Sequence, residues 1–187
     1  MNILLLSRYT RMGASSRLRT MQYLSALRRE GFHVQVASFF DDAYLNALYT
    51  GQKTHKSTLA YMFRRIRQMR IKPVPDVVLL EKEALPWIPW LIERAFLPRG
   101  VPIVSDYDDA VFHRYDRHRR GIIRAALGKK IYHVMAASDL VMAGNPYLAD
   151  HARRASASRV EIVPTVIDLD TYEIRAEAVT KDKLRVG

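Results

Sequence analysis

Short, uninterrupted apolar runs set at intervals between helical patterns constrain this chain more than any other feature. Ile3-Leu4-Leu5-Leu6, Val77-Val78-Leu79-Leu80 and Leu140-Val141-Met142-Ala143 show no polar alternation. A run of that length reads as a strand buried on both faces, the signature of a parallel sheet. Further strands are expected at Val34–Ala37, Pro102–Ser105 and Val160–Val163, the third strand beginning at Asp76. Between them the apolar residues fall at helical spacing. Leu18, Met21, Leu24 and Leu27 follow the N-cap residue types Ser15 and Ser16 and stop at Gly31. Further helices are expected from Trp87 to Phe96, from Ile122 to Ala137, and from Asn145-Pro146, where proline suits the first helical position. Strands alternating with helices predict an α/β fold: a Rossmann-like, doubly wound parallel sheet with helices on both faces.

The 187 residues contain no cysteine, which excludes a disulfide scaffold, a thiolate zinc site and a cysteine nucleophile, and fits a cytoplasmic setting. No apolar run has the length of a transmembrane helix, and the N-terminus lacks the basic start of a signal peptide. The net charge of +11 is unevenly spread: residues 1–75 hold 13 Lys and Arg against 3 Asp and Glu, the remainder 17 against 16. A basic half implies an anionic partner: phosphate, nucleic acid or a membrane surface. A solubilising surface is the simpler alternative.

In open α/β sheets ligands bind outside the carboxyl ends of the strands. One such loop carries Gly13, Ser15, Ser16, Arg17 and Arg19. A glycine and small hydroxyl residues opening a helix allow backbone N–H groups to approach phosphate, and the arginines add charge-assisted bonds. An ordinary helix cap with solvated arginines is the other reading. A single glycine makes this neither the dinucleotide fingerprint nor a P-loop. A second loop, Ser105-Asp106-Tyr107-Asp108-Asp109-Ala110, places three carboxylates in four residues. Such a concentration needs a metal, a ligand or cations, and Arg17, Arg19, Arg114, Arg117, Arg119 and Arg120 are the candidate cations. Glu81-Lys82-Glu83 follows another strand and reads as a solvated turn; if it lines the same crevice, Lys82 faces the same ligand.

Two basic segments remain. In residues 59–70 the apolar positions 59, 62, 63, 66 and 69 share a helical face, with Arg64, Arg65, Arg67 and Arg70 expected largely elsewhere. That pattern fits a helix lying on an anionic membrane or, more commonly, one packed on a core. Residues 113–130 hold seven Lys and Arg against one Asp, and read as a place for an anionic acceptor.

Four segments together resemble the N-terminal half of the family 4 retaining glycosyltransferases, which have the GT-B architecture. They are Asn2 to Leu6 with Gly13 to Arg19, Asp106 to Phe112, Gly144 to Ala149, and Val163 to Asp168. The resemblance implies an acceptor-side domain working with a C-terminal domain that holds a nucleotide-sugar donor, the acceptor being a saccharide or a lipid-linked glycan. It implies Asp108 and Asp109 as catalytic residues at the sugar. Gly13, Ser15, Ser16, Arg17, Arg19, Asp106 and Lys82 are then donor-phosphate or acceptor contacts. No cofactor is implied, and the family's metal-independent chemistry argues against Asp106-Tyr107-Asp108 as a metal site. The chain departs from the commoner family pattern in having Met12-Gly13 for paired glycines and Thr165-Val166 for Asn-Gly. Residues 1–168 are expected to form the domain, and 169–187 an interdomain linker and the start of a second domain. Such a fragment has no turnover of its own.

Two other functions compete. One is a non-catalytic basic α/β module on an anionic membrane or nucleic acid, the latter without any helix-turn-helix, RNP or zinc-finger signature. The other, a dinucleotide-dependent oxidoreductase, is disfavoured by the missing glycines. The location expected for the transferase is cytoplasmic, with peripheral contact at the inner membrane face.

Overall fold

A computed structural model describes residues 1–52 and 58–169. Six strands form one sheet: β1 (Asn2–Ser7), β2 (His33–Ser38), β3 (Val77–Glu81), β4 (Ile103–Tyr107), β5 (Leu140–Ala143) and β6 (Val160–Ile162). Their spatial order is β2-β1-β3-β4-β5-β6 and every pairing is parallel. All six expected strands are present, β5 with its expected ends and the others with ends shifted by at most two residues. In β1 the successive residues Leu4, Leu5 and Leu6 are all buried. Successive side chains point to opposite faces, so both faces of β1 are covered, as the unbroken apolar run requires. The chain leaves β1 in one direction to β2 and returns on its other side at β3. The switch point therefore lies at the carboxyl ends of β1 and β3, with Leu6 opposite Leu80, Glu81 opposite Asp106 and Tyr107 opposite Ala143.

The helices are α1 (Ala14–Arg19), α2 (Leu24–Arg29), α3 (Asp42–Tyr49), α4 (Thr58–Met69), α5 (Trp90–Phe96), α6 (His113–Asp116), α7 (Gly121–Leu127), α8 (Lys130–Ala136) and α9 (Pro146–Arg154). Asn145 caps α9 by accepting the Leu148 N–H at 3.0 Å, with proline at the first position, as expected. Three other expectations are corrected. The helix predicted from Ser15 or Ser16 to Gly31 is two helices joined by a 3-10 turn at Met21–Tyr23. Neither serine is its N-cap: Gly13 is, without a side-chain bond. The helix predicted from Ile122 to Ala137 is likewise two, α7 and α8. The helix from Trp87 starts only at Trp90, because Trp87 takes a positive φ of 66° and Pro89 provides the N-cap.

The core falls into two clusters. One centres on Leu4, Leu6, Val78 and Leu80 with Phe39, Phe40 and Tyr61; the other on Tyr107, Tyr115, Ile131, Val141 and Leu148. Each such aliphatic side chain contributes about 2 kcal/mol of burial. In α4 the fully inward positions are Tyr61, Arg65 and Met69, while Leu59 and Phe63 are exposed. This overturns the expected separation of arginines from the buried stripe. Arg65 is buried and donates to the carbonyls of Ala37 (2.6 Å) and Ser7, closing the carboxyl ends of β1 and β2. Burial pulls its guanidinium down to about 9, against the opposing pull of Glu81 and Glu93. Arg64 donates to the Phe39 carbonyl at 2.6 Å, so Arg67 and Arg70 remain as the exposed charges of that helix. The expected interdomain linker lies, beyond Leu169, outside the described residues.

Candidate functional site

Three strand ends bring one cluster of charged side chains together. The β1–α1 loop brings Ser15, Ser16 and Arg19; β3 runs out through Glu81, Lys82 and Glu83; β4 runs out through Asp106, Asp108 and Asp109. Lys82 Nζ lies 2.9 Å from Asp108 Oδ1 and 2.9 Å from Asp109 Oδ2. The Ser15 hydroxyl donates to the other oxygen of Asp108 at 2.5 Å. Burial pushes the Asp108 carboxyl up, but Lys82 and Ser15 outweigh it and hold it below the ordinary carboxylate range. For Lys82, burial pulls down while the two aspartates raise it, and the aspartates prevail. Both directions describe a firmly ionised pair. Asp109 is the outward member, its side chain 61% exposed.

Asp106 sits deeper. The Arg19 fork holds both its oxygens, Nε at 3.0 Å and Nη2 on the other, and Arg19 also donates to the Val163 carbonyl. Burial pushes the Asp106 carboxyl up, and the fork pulls it back only part of the way. Arg19 is thus the partner that the three clustered acids required for Asp106, and Lys82 is the partner for the other two. The arginines at 114, 117, 119 and 120 stand exposed instead.

Ser16 donates to Glu81 Oε2 at 2.6 Å, Thr20 to Glu81 Oε1 at 2.5 Å, and the Arg8 N–H to Oε2 at 2.8 Å. Glu81 therefore ties the first loop to β3, and burial raises its pKa despite these bonds. The serines spend their hydroxyls on Asp108 and Glu81, which is why neither caps α1. Arg17 lies apart from this cluster. It donates to the Arg11 carbonyl at 3.3 Å and lines, with Arg11, Arg28 and Asp168, a depression of about 350 Å³.

Gly13 has a local task. A Cβ there would lie 2.4 Å from Cβ of Tyr9, whose ring stacks on Phe40 at 5.8 Å. Gly13→Ala is expected to destabilise the fold by about 1–3 kcal/mol through overpacking, read as a lower urea midpoint at unchanged slope.

The turn Glu81-Lys82-Glu83 is not solvated, as the sequence suggested: all three residues are buried. Glu83 accepts from Lys130 Nζ at 2.6 Å and from the Tyr115 hydroxyl at 2.8 Å, and pairs with Arg8 at 3.4 Å. Lys130 also reaches Glu93 at 2.9 Å and the Leu85 carbonyl at 2.6 Å. The Tyr107 hydroxyl donates to the Lys82 carbonyl at 2.9 Å, which fixes the turn that aims Lys82. Sequence reasoning missed Arg8, Glu93, Tyr115 and Lys130. The one available signal was a lone Glu93 beside Trp90-Leu91-Ile92.

Among the described residues, no group of three or more His, Asp or Glu is arranged to hold a metal ion, and no helix is long and apolar enough to cross a membrane. The cluster thus offers one outward carboxylate, Asp109, beside the largely covered Asp108, with the buried Lys82 ammonium between them and buried ion pairs behind. Ionised carboxylates accept hydrogen bonds from hydroxyl-rich ligands, and the lysine balances their charge or meets an anion. No protein-family model matches the sequence, and no curated protein matches it either.

Proposed function

We propose that this chain is the acceptor-side domain of a retaining glycosyltransferase, moving a sugar from a nucleotide-sugar donor to a saccharide or lipid-linked acceptor. The observation that carries this reading is the Lys82–Asp108–Asp109 cluster at the carboxyl end of the central strands, beside the switch point. Asp108 is preorganised by Ser15 and Lys82, so it accepts a ligand hydroxyl without having to be reordered. Asp109, the exposed member, shares Lys82 and is free to swing toward a bound sugar. Arg19 and Asp106 position the loops and are taken up by one another. The reading assigns the donor to a separate domain and expects no turnover by the acceptor-side domain alone. Incubating the full-length protein with a panel of nucleotide sugars and acceptors tests it: one donor is expected to be consumed with transfer. If every donor stays intact, the proposal fails.

A further inference from the structure

A second group of titratable side chains stands apart from the Lys82 cluster, where α6 meets α9. His113 opens α6 and Asp116 follows one turn later, its carboxylate 3.0 Å from His113 Nδ1. On the other side of the imidazole, Nε2 lies 2.8 Å from the hydroxyl of Tyr147, in the first turn of α9. This order fixes the protons. A carboxylate only accepts, so Nδ1 carries the imidazole proton and the bare Nε2 accepts from the Tyr147 O–H. The buried Phe112 sets the ring plane: it stacks on His151 at 3.7 Å and meets His113 edge to face at 4.5 Å. Phe112 also shares an apolar cluster with Leu148, Ala149 and Ala152 of α9, which joins the two helices without help from polar bonds. An ion pair as open to solvent as His113–Asp116 adds little stability of its own.

A hydroxyl bonded to a base that a third group orients is the arrangement of an activated nucleophile. Tyr147 is 51% exposed, and its bond to His113 lies at the surface. We propose that Tyr147 is a nucleophile that takes an acyl group from an activated acyl donor (an acyl phosphate, a thioester or an aryl ester), with His113 as its base. The Tyr147 oxygen attacks the acyl carbon while its proton passes to His113 Nε2. The bond from that carbon to the leaving group breaks, and the leaving group departs with the electron pair. The product is an ester between the acyl group and Tyr147, and His113 returns its extra proton to the leaving group or to water. Asp116 is a positioning residue: it holds the tautomer and offsets the charge of the imidazolium. The proposal does not depend on the transfer of a sugar.

The chain's ten tyrosines supply the internal control, because Tyr49 is 66% exposed and would react first if exposure alone decided. Purified protein is treated with p-nitrophenyl acetate at neutral pH, and acetylation of each tyrosine is timed by peptide mass spectrometry. Tyr147 is expected to react roughly a hundredfold faster than Tyr49, the lower range for one positioned base. His113→Gln is expected to bring Tyr147 down to the rate of Tyr49 without changing Tyr49 itself. His113→Ala is expected to do the same, and free imidazole to restore the fast reaction, which a purely structural role would not allow. Asp116→Asn is expected to give an intermediate rate and Asp116→Glu to recover most of the loss. Circular dichroism verifies the fold of each variant. Tyr147 reacting no faster than Tyr49, a fast reaction that survives His113→Gln, or His113→Ala that imidazole does not rescue overturns the proposal.

Discussion

Replacing Lys130 with methionine is expected to cost about 3–5 kcal/mol of stability at neutral pH, a large part of what a domain of this size possesses. The reason is specific. Lys130 is buried between Glu83 and Glu93, both also buried, and donates in addition to the Leu85 carbonyl. Methionine fills the same volume, so the loss is one of charge and not of packing: Glu83 keeps only Arg8 as a paired cation, and Glu93 only the electrostatic pull of Arg65. Burial pushes both carboxyls up. At Glu83 the Lys130 ammonium, the Tyr115 hydroxyl and Arg8 outweigh burial and hold it below the ordinary range, while at Glu93 burial prevails.

The pH dependence follows in sign. A depressed carboxyl such as Glu83 adds stability above its unfolded pKa and loses it as pH falls through its lower folded value. In Lys130→Met the main counter-charge is gone, so Glu83 joins Glu93 in holding its proton when folded. Such groups gain stability as pH falls. The deficit of the variant, measured by urea unfolding, is therefore expected to narrow from pH 7 toward pH 4.5. A deficit that stays constant across that range would contradict the charge account.

Asp108→Asn carries the largest expected effect on activity. Transfer by the full-length protein is expected to fall by about two to three orders of magnitude, the usual cost of one preorganised electrostatic group. Asparagine retains an oxygen for the Ser15 hydroxyl, and Lys82 keeps Asp109 at 2.9 Å. The stability change is accordingly expected to stay below about 1 kcal/mol. Paired measurements of kcat and of the urea midpoint check this. A loss of several kcal/mol with transfer per folded molecule intact would make Asp108 a scaffold residue.

β1, β3 and β5 were legible because strands inside a parallel sheet demand short unbroken apolar runs, here bounded by turn residues. Helix ends were less so, since distant partners override local preference. Ser15 and Ser16 have the chemistry of N-caps, yet their hydroxyls go to Asp108 and Glu81, 93 and 65 residues away. Thr20 interrupts the first helix while its hydroxyl bonds the Ser16 carbonyl and Glu81. The acids at 106, 108 and 109 announced a need for cations, and Arg19 was among the candidates. Lys82 was obscured because Glu81-Lys82-Glu83 has the composition of a solvated turn. Its burial depends on Lys130, Arg8 and Tyr115, which no local pattern links to it. Arg65 was misplaced for a similar reason: its helical position matched the polar face, but two strand-end carbonyls required a donor beneath it.

The most direct test of the central proposal is the anomeric configuration of the sugar transferred by the full-length protein, read by proton NMR of the product against the donor. Retained configuration is the predicted result. An inverted product, or no transferred sugar at all, would contradict it.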